Sequence, residues 1–174
     1  FIHRLGVEGR AGYIFQTSPF LEYSNHQYKA MKNAYAGHLK YSFQLRPHTV
    51  ADQAYIGAYQ GIGVGYFNFG NPEELGNPLA VYLFQGGRIA QFSPRISLNY
   101  EWNFGASFGW KPYDEYDNPE NQIIGSKVNA YLNVNLYLKW ALSPKFDLMI
   151  GATGSHFSNG NTQYPNSGLN TVDC

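Results

Sequence analysis

Apolar and polar residues alternate with a period of two along most of this chain. Over 127–142, "KVNAYLNVNLYLKWAL", Val128, Ala130, Leu132, Val134, Leu136, Leu138, Trp140 and Leu142 share one face, and Lys127, Asn129, Tyr131, Asn133, Asn135, Tyr137 and Lys139 share the other. Over 95–110, "RISLNYEWNFGASFGW", Ile96, Leu98, Tyr100, Trp102, Phe104, Ala106, Phe108 and Trp110 oppose Arg95, Ser97, Asn99, Glu101, Asn103, Gly105, Ser107 and Gly109. Successive strand side chains point to opposite faces, so each run predicts a strand with one apolar face. Noisier alternation covers about 9–18, 33–45, 57–69 and 78–92, a seventh strand is predicted over 145–158, and an eighth begins at Gly168. In "YQGIGVGYFNF", Gly61, Gly63 and Gly65 share a face, which lets a small barrel curve or makes room for bulky neighbours inside it.

These runs exceed the roughly 5–6 residues of an ordinary soluble strand. They suit the roughly 9–11 tilted residues that cross a bilayer. The connections "SPR" (93–95) and "SPK" (143–145) are tight, whereas "KPYDEYDNPENQ" and "NFGNPEELGNP" are long and polar. Short turns at one end and longer loops at the other fit an outer-membrane barrel. The expected fold is therefore all-β, an antiparallel up-and-down transmembrane β-barrel of about eight strands. It would form one domain over 1–174, its last strand cut short at Cys174. A soluble lipocalin-like ligand-binding barrel would invert the alternation, with the apolar face inside. Trp, Tyr and Phe gather towards the strand ends of the apolar faces, as in an interfacial girdle, and the opposing faces carry few charges for a wet exterior.

Composition narrows the function. Aromatic residues make up 17% of the chain, charged residues only 14%, and the formal net charge is zero. A balanced surface offers no basic patch to neutralise phosphates, which argues against nucleic acid as a partner. No apolar run is long enough for a transmembrane helix, and no signal peptide is visible, so a mature or trimmed chain is expected. The single Cys174 permits no internal disulfide.

Candidate chemistry concentrates near the end, in "KFDLMIGATGSHFSNGNTQYPNSGLN". Phe146, Leu148, Ile150, Ala152, Gly154, His156 and Ser158 share a face, which by analogy with the preceding strand is the apolar, lipid-facing one. His156 and Ser158 then stand above a greasy stripe, about 7 Å apart at Cβ from the strand rise, a separation that an imidazole leaning along the strand can span. H-x-S alone is a common tripeptide, and polar residues at a barrel rim are ordinary.

The loop that follows supplies context. His156, Ser158, Asn159, Pro165, Asn166 and Gly168 form an H-x-S-N stretch followed by P-N-x-G. This resembles the signature of the lipid A 3-O-deacylase (PagL-like) family of outer-membrane β-barrel enzymes, also described as acyloxyacyl hydrolases. The motif covers 154–170, and the strand pattern extends the likeness over the chain. The resemblance implies a serine esterase of the bacterial outer membrane that removes an ester-linked acyl chain from lipid A or a related glycolipid, with no cofactor and no metal. It implies Ser158 as nucleophile, His156 as general base, and Asn166 as an oxyanion donor helped by backbone N–H groups near Gly160 and Asn161, with Asn159 positioning the loop. The family's acidic triad position falls on Asn170, which can hold an imidazole tautomer but cannot offer imidazolium a full charge. Asp173 is second in rank for that role, although its parity turns it to the opposite side. The alternative is a non-enzymatic outer-membrane barrel that anchors, adheres or transports.

Other candidates are weak. His3, His26, His38 and His48 have no zinc-ligand spacing. His38 falls on the polar face of its strand, as a hydrogen-bonding lumen residue. "DEYDNPEN" (114–121) lacks EF-hand spacing and reads as a solvated loop.

Overall fold

The computed structural model describes residues 1–46 and 49–174. The strands are β1 (Ile2–Ile14), β2 (Asn33–Gln44), β3 (Tyr59–Asn68), β4 (Gly76–Gln91), β5 (Ile96–Trp110), β6 (Val128–Ala141), β7 (Asp147–Ser158) and β8 (Leu169–Asp173). Each pairs antiparallel with the next, and β8 returns to β1, closing an eight-stranded barrel. His48 lies outside the described residues.

The alternation is that of a membrane barrel. Along β6, Val128, Leu132, Val134, Leu136, Leu138 and Trp140 are exposed, whereas Asn129, Tyr131, Asn133 and Tyr137 are buried. β5 repeats the pattern, with Tyr100, Trp102 and Phe104 outside and Ser97, Asn99, Glu101 and Asn103 inside. A lipocalin-like barrel would put the aliphatic set inside, so this exterior is a hydrocarbon-facing belt. Tyr13, Tyr35, Tyr66 and Phe108 lie outside near one rim, and Tyr41, Phe92, Trp140 and Phe146 near the other. Two aromatic bands mark the two interfaces of such a belt.

Inside, two layers fill the barrel. One is polar: Lys40 pairs with Glu8 and Glu101, Arg10 with Glu8, Arg4 with Asp147, and Tyr59 donates to Glu101. His38 sits there too, 2.8 Å from the Tyr82 hydroxyl. The other layer lies towards the long-loop end and is aromatic. Phe67, Phe69, Trp110, Tyr131 and Phe157 pack with ring centroids 5.0–6.0 Å apart, joined by Ile14, Phe20, Leu75, Ile124 and Leu169. The β3 glycines make this filling possible. A Cβ at Gly63 would lie 2.4 Å from the Tyr82 ring, and one at Gly65 would lie 2.6 Å from the His38 ring.

Two expectations change, and two further features emerge. The first strand starts at Ile2, well before 9, because its lumen charges Arg4, Glu8 and Arg10 disguise the outward Leu5 and Val7. Trp110 turns inward, 4% exposed, with its indole N–H on Ser107 Oγ at 2.8 Å. Gly109, at φ 89°, and a register shift between Gly76 and Leu79 reverse the parity there, as a bulge does. Among the described residues, two short helices appear where no helical period is evident, α1 (Pro19–Glu22) and α2 (Val50–Tyr55), so the 45–58 connection is not a tight turn like 92–95 and 142–146. Finally, β8 closes the ring with five residues, pairing with β7 over 153–157 and with β1 over 12–14.

Candidate active site

The site is built on β7 and β8 at the end of the barrel that carries the connections 15–32, 69–75, 111–127 and 159–168. Parity along β7 is strict. Thr153, Ser155 and Phe157 are buried in the lumen, while Gly154, His156 and Ser158 face out. Phe157, fully buried among the lumen aromatics, pins the strand end from inside and so aims its two neighbours outward.

Register supplies the third residue. His156 stands directly opposite Asn170 on β8, and facing residues on one side of an antiparallel pair have neighbouring side chains. His156 Nδ1 lies 2.6 Å from Asn170 Oδ1. An amide oxygen only accepts, so Nδ1 carries the proton and Nε2 presents its lone pair. That lone pair lies 3.0 Å from Ser158 Oγ, which donates to it. All three side chains are half-buried on the outer wall. Gly168 makes room for the ring: it has φ 74°, and a Cβ there would lie 3.1 Å from His156 Cε1. Glycine meets both demands, for positive φ and for close approach.

Asp173 does not join them. It is buried on the lumen side, accepting from the Thr171 hydroxyl at 2.9 Å. The other histidines among the described residues are dispersed, His3 against the Tyr41 hydroxyl, His26 in the 15–32 connection and His38 in the lumen.

Beyond Ser158 the chain turns sharply. Gly160 and Asn161 both have positive φ (65° and 62°), and Thr162 N donates to Asn159 O at 3.4 Å. Positive φ at both central residues is the signature of a type I′ turn, and Gly-Asn in those positions tolerates it. Asn166 reaches across it, its Oδ1 accepting from Asn159 N at 3.0 Å and its Nδ2 donating to Asn161 Oδ1 at 3.0 Å. One Nδ2 hydrogen stays uncommitted among the described residues, as do the backbone N–H groups of Gly160 and Asn161. The pattern of Asn, Gly and Pro signals a turn, but the reciprocal bonds of Asn166 are visible only once the loop is folded.

The outer wall beside the triad is concave. A groove of about 490 Å³ has Phe15, Leu132, Val134, Gly154 and Val172 along its apolar walls and His156 and Asn170 at its edge. The absent side chain of Gly154, whose cross-strand partners are Val134 and Val172, forms its floor. The 114–121 loop is tied down by its own turn and by neighbouring carbonyls. Asp114 accepts from the backbone N–H groups of Tyr116 and Asp117, which hold its carboxyl below the ordinary range, and Asn118 and Asn121 donate to the Glu74 and Lys111 carbonyls.

The fold is similar to a solved structure described as the outer membrane enzyme PagL, with a TM-score of 0.61 at 15% identity, covering 97% of this chain and 95% of that one. At that identity the likeness concerns the fold alone. Comparison with curated sequences returns no match. The profile of the lipid A 3-O-deacylase (PagL) family matches residues 4–174. With a barrel that is apolar outside and polar within, the chain is an outer-membrane protein and belongs to the PagL family of lipid A 3-O-deacylases.

Proposed function

We propose that this protein is a serine esterase that hydrolyses an ester-linked acyl chain of lipid A, or of a related glycolipid, in the outer leaflet of the bacterial outer membrane. The observation that carries this reading is the continuous chain Ser158 Oγ–His156 Nε2, His156 Nδ1–Asn170 Oδ1 on the hydrocarbon-facing wall. The ester of a bilayer lipid lies where its acyl chains begin. A triad above an apolar groove at the aromatic rim meets that ester by lateral diffusion, and the groove accepts the chain.

In the first half-reaction, His156 Nε2 takes the Ser158 proton as Oγ attacks the ester carbonyl carbon. The carbonyl oxygen becomes an oxyanion, received by the uncommitted Nδ2 hydrogen of Asn166 and the backbone N–H groups of Gly160 and Asn161. Donors so aimed are each worth about 3–4 kcal/mol in the transition state. Collapse breaks the bond to the sugar oxygen, which leaves with the proton from His156. In the second half-reaction, His156 deprotonates water, which attacks the acyl-serine, and Ser158 recovers its proton as the free fatty acid departs. Asn170 holds the tautomer throughout. The sum is ester plus water giving alcohol plus acid, which needs no cofactor. Asn159 anchors the turn, and the role of Asp173 in the lumen is structural.

The transport alternative finds little support in the barrel interior, which the aromatic layer and the ion-pair layer fill. The decisive experiment is lipid A mass spectrometry on cells expressing wild type or Ser158→Ala. Loss of one acyl chain with wild type alone supports the proposal, and unchanged lipid A with both overturns it.

A further inference from the structure

The turn that carries the oxyanion donors does not hold itself in place. It rests on the end of the 111–127 connection, through contacts at Ile123, Gly125 and Ser126. Ile123 O accepts from Gly168 N at 3.3 Å. Ile123 and Ile124 are themselves fully buried, their backbone N–H groups both donating to Asn121 Oδ1. Gly125 lies flat against the Tyr164–Pro165 backbone, and a Cβ there would come within 2.6 Å of Pro165 O and 2.7 Å of Tyr164 C. Ser126 Oγ accepts from Asn159 Nδ2 at 3.3 Å, the other hydrogen of that amide going to Gln163 O at 2.7 Å. The Ser126 hydroxyl is fixed in turn, donating within reach of Val128 O and Asn129 Oδ1 (both 2.9 Å), while Asn129 Nδ2 donates back to Ser126 O. Asn129 O accepts from Ser107 Oγ, which also receives the Trp110 indole N–H.

The line of contact thus runs from the lumen plug through Ser126 to Asn159, the residue after the nucleophile. We infer that residues 123–126 form a brace that seats the oxyanion turn against the outward triad, with Ser126 and Gly125 as positioning residues acting through Asn159 and through the Tyr164–Asn166 backbone. The inference rests on the esterase reading for its catalytic meaning and on the geometry alone for the brace. Neither residue touches the triad, so removing the brace leaves Ser158, His156 and Asn170 bonded to one another. What moves is the turn holding Gly160, Asn161 and Asn166. A donor displaced by about 1 Å no longer meets the oxyanion, which costs on the order of 100-fold in rate while substrate binding is largely unaffected.

The test uses purified, folded barrel in detergent–lipid A micelles, with folding checked by the heat-dependent shift in gel mobility. Gly125→Ala is expected to lower kcat about 100-fold and Ser126→Ala about 10-fold, each leaving KM within twofold, and Ser126→Thr, which keeps the hydroxyl, to restore kcat. Amide hydrogen exchange over 159–168 is measured on the same samples and is expected to accelerate in Gly125→Ala and Ser126→Ala but not in Ser158→Ala. Wild-type activity with kcat unchanged in both brace variants overturns the inference. If wild type releases no fatty acid, the esterase reading fails, and the exchange data still decide the brace: unchanged protection over 159–168 in Gly125→Ala refutes it, and lost protection upholds it.

Discussion

The barrel holds two polar constellations, and they are built in opposite ways. The lumen network of Arg4, Glu8, Arg10, Lys40, Glu101 and Asp147 is rich in formal charge, closely paired and covered at the long-loop end by aromatic rings. The outer constellation of Ser158, His156 and Asn170 carries no fixed charge and stands half-exposed on the lipid-facing wall. Buried charges must be compensated where they sit, so the lumen groups satisfy one another and hold the strands in register. The triad leaves a lone pair, a hydroxyl and several N–H groups ready for a reactant. On the proposed esterase reading, position relative to the substrate, more than polarity or charge, separates the chemistry from the scaffold.

Substitutions on the two sides of the wall should therefore fail differently, the outer set losing rate at constant stability and the inner set the reverse. The largest effect is expected for His156→Ala, whose turnover should fall by about 10⁴–10⁶-fold with an unchanged urea midpoint, because a serine without its base is a poor nucleophile. Asn166→Ala comes next, lowering kcat by about 10²–10³-fold at constant KM, the usual cost of one oxyanion donor. Asn170→Asp is expected to raise kcat on the order of tenfold. A carboxylate in place of the amide stabilises the imidazolium that forms as Ser158 attacks, and steady-state rates on lipid A micelles compare the two. The smallest effect on rate belongs to the lumen. Glu101→Gln leaves Lys40 with one anionic partner, Glu8, and should lower unfolding stability by about 3 kcal/mol in urea titrations while kcat stays within twofold.

Much of this arrangement is legible along the chain, because period-two alternation records which face each residue takes. The outward aim of His156 and Ser158 and the lumen placement of Asp173 and His38 follow from counting positions along strands. Counting fails where the backbone departs from the regular pleat. At Gly109 a single positive φ turns Trp110 from the belt into the core, and at Arg4, Glu8 and Arg10 lumen charges hide a strand. The pairing of His156 with Asn170 requires the β7–β8 register, which the motif spacing suggests but alternation does not specify. Ser126 gives no signal at all, since a serine in a polar loop 32 positions before the nucleophile acquires meaning only when two loops meet.

The claim underlying all of this is that one serine, on the outer wall, is reactive toward an acyl electrophile presented from the membrane. Folded protein in lipid vesicles, treated with a long-chain alkyl fluorophosphonate dissolved in the bilayer and digested, reports this directly by peptide mass spectrometry. A single adduct is expected on Ser158, in the peptide that follows Lys145, and it should disappear in His156→Ala. An unlabelled Ser158, or an adduct on the lumen serines Ser107 or Ser155 in its place, would contradict it.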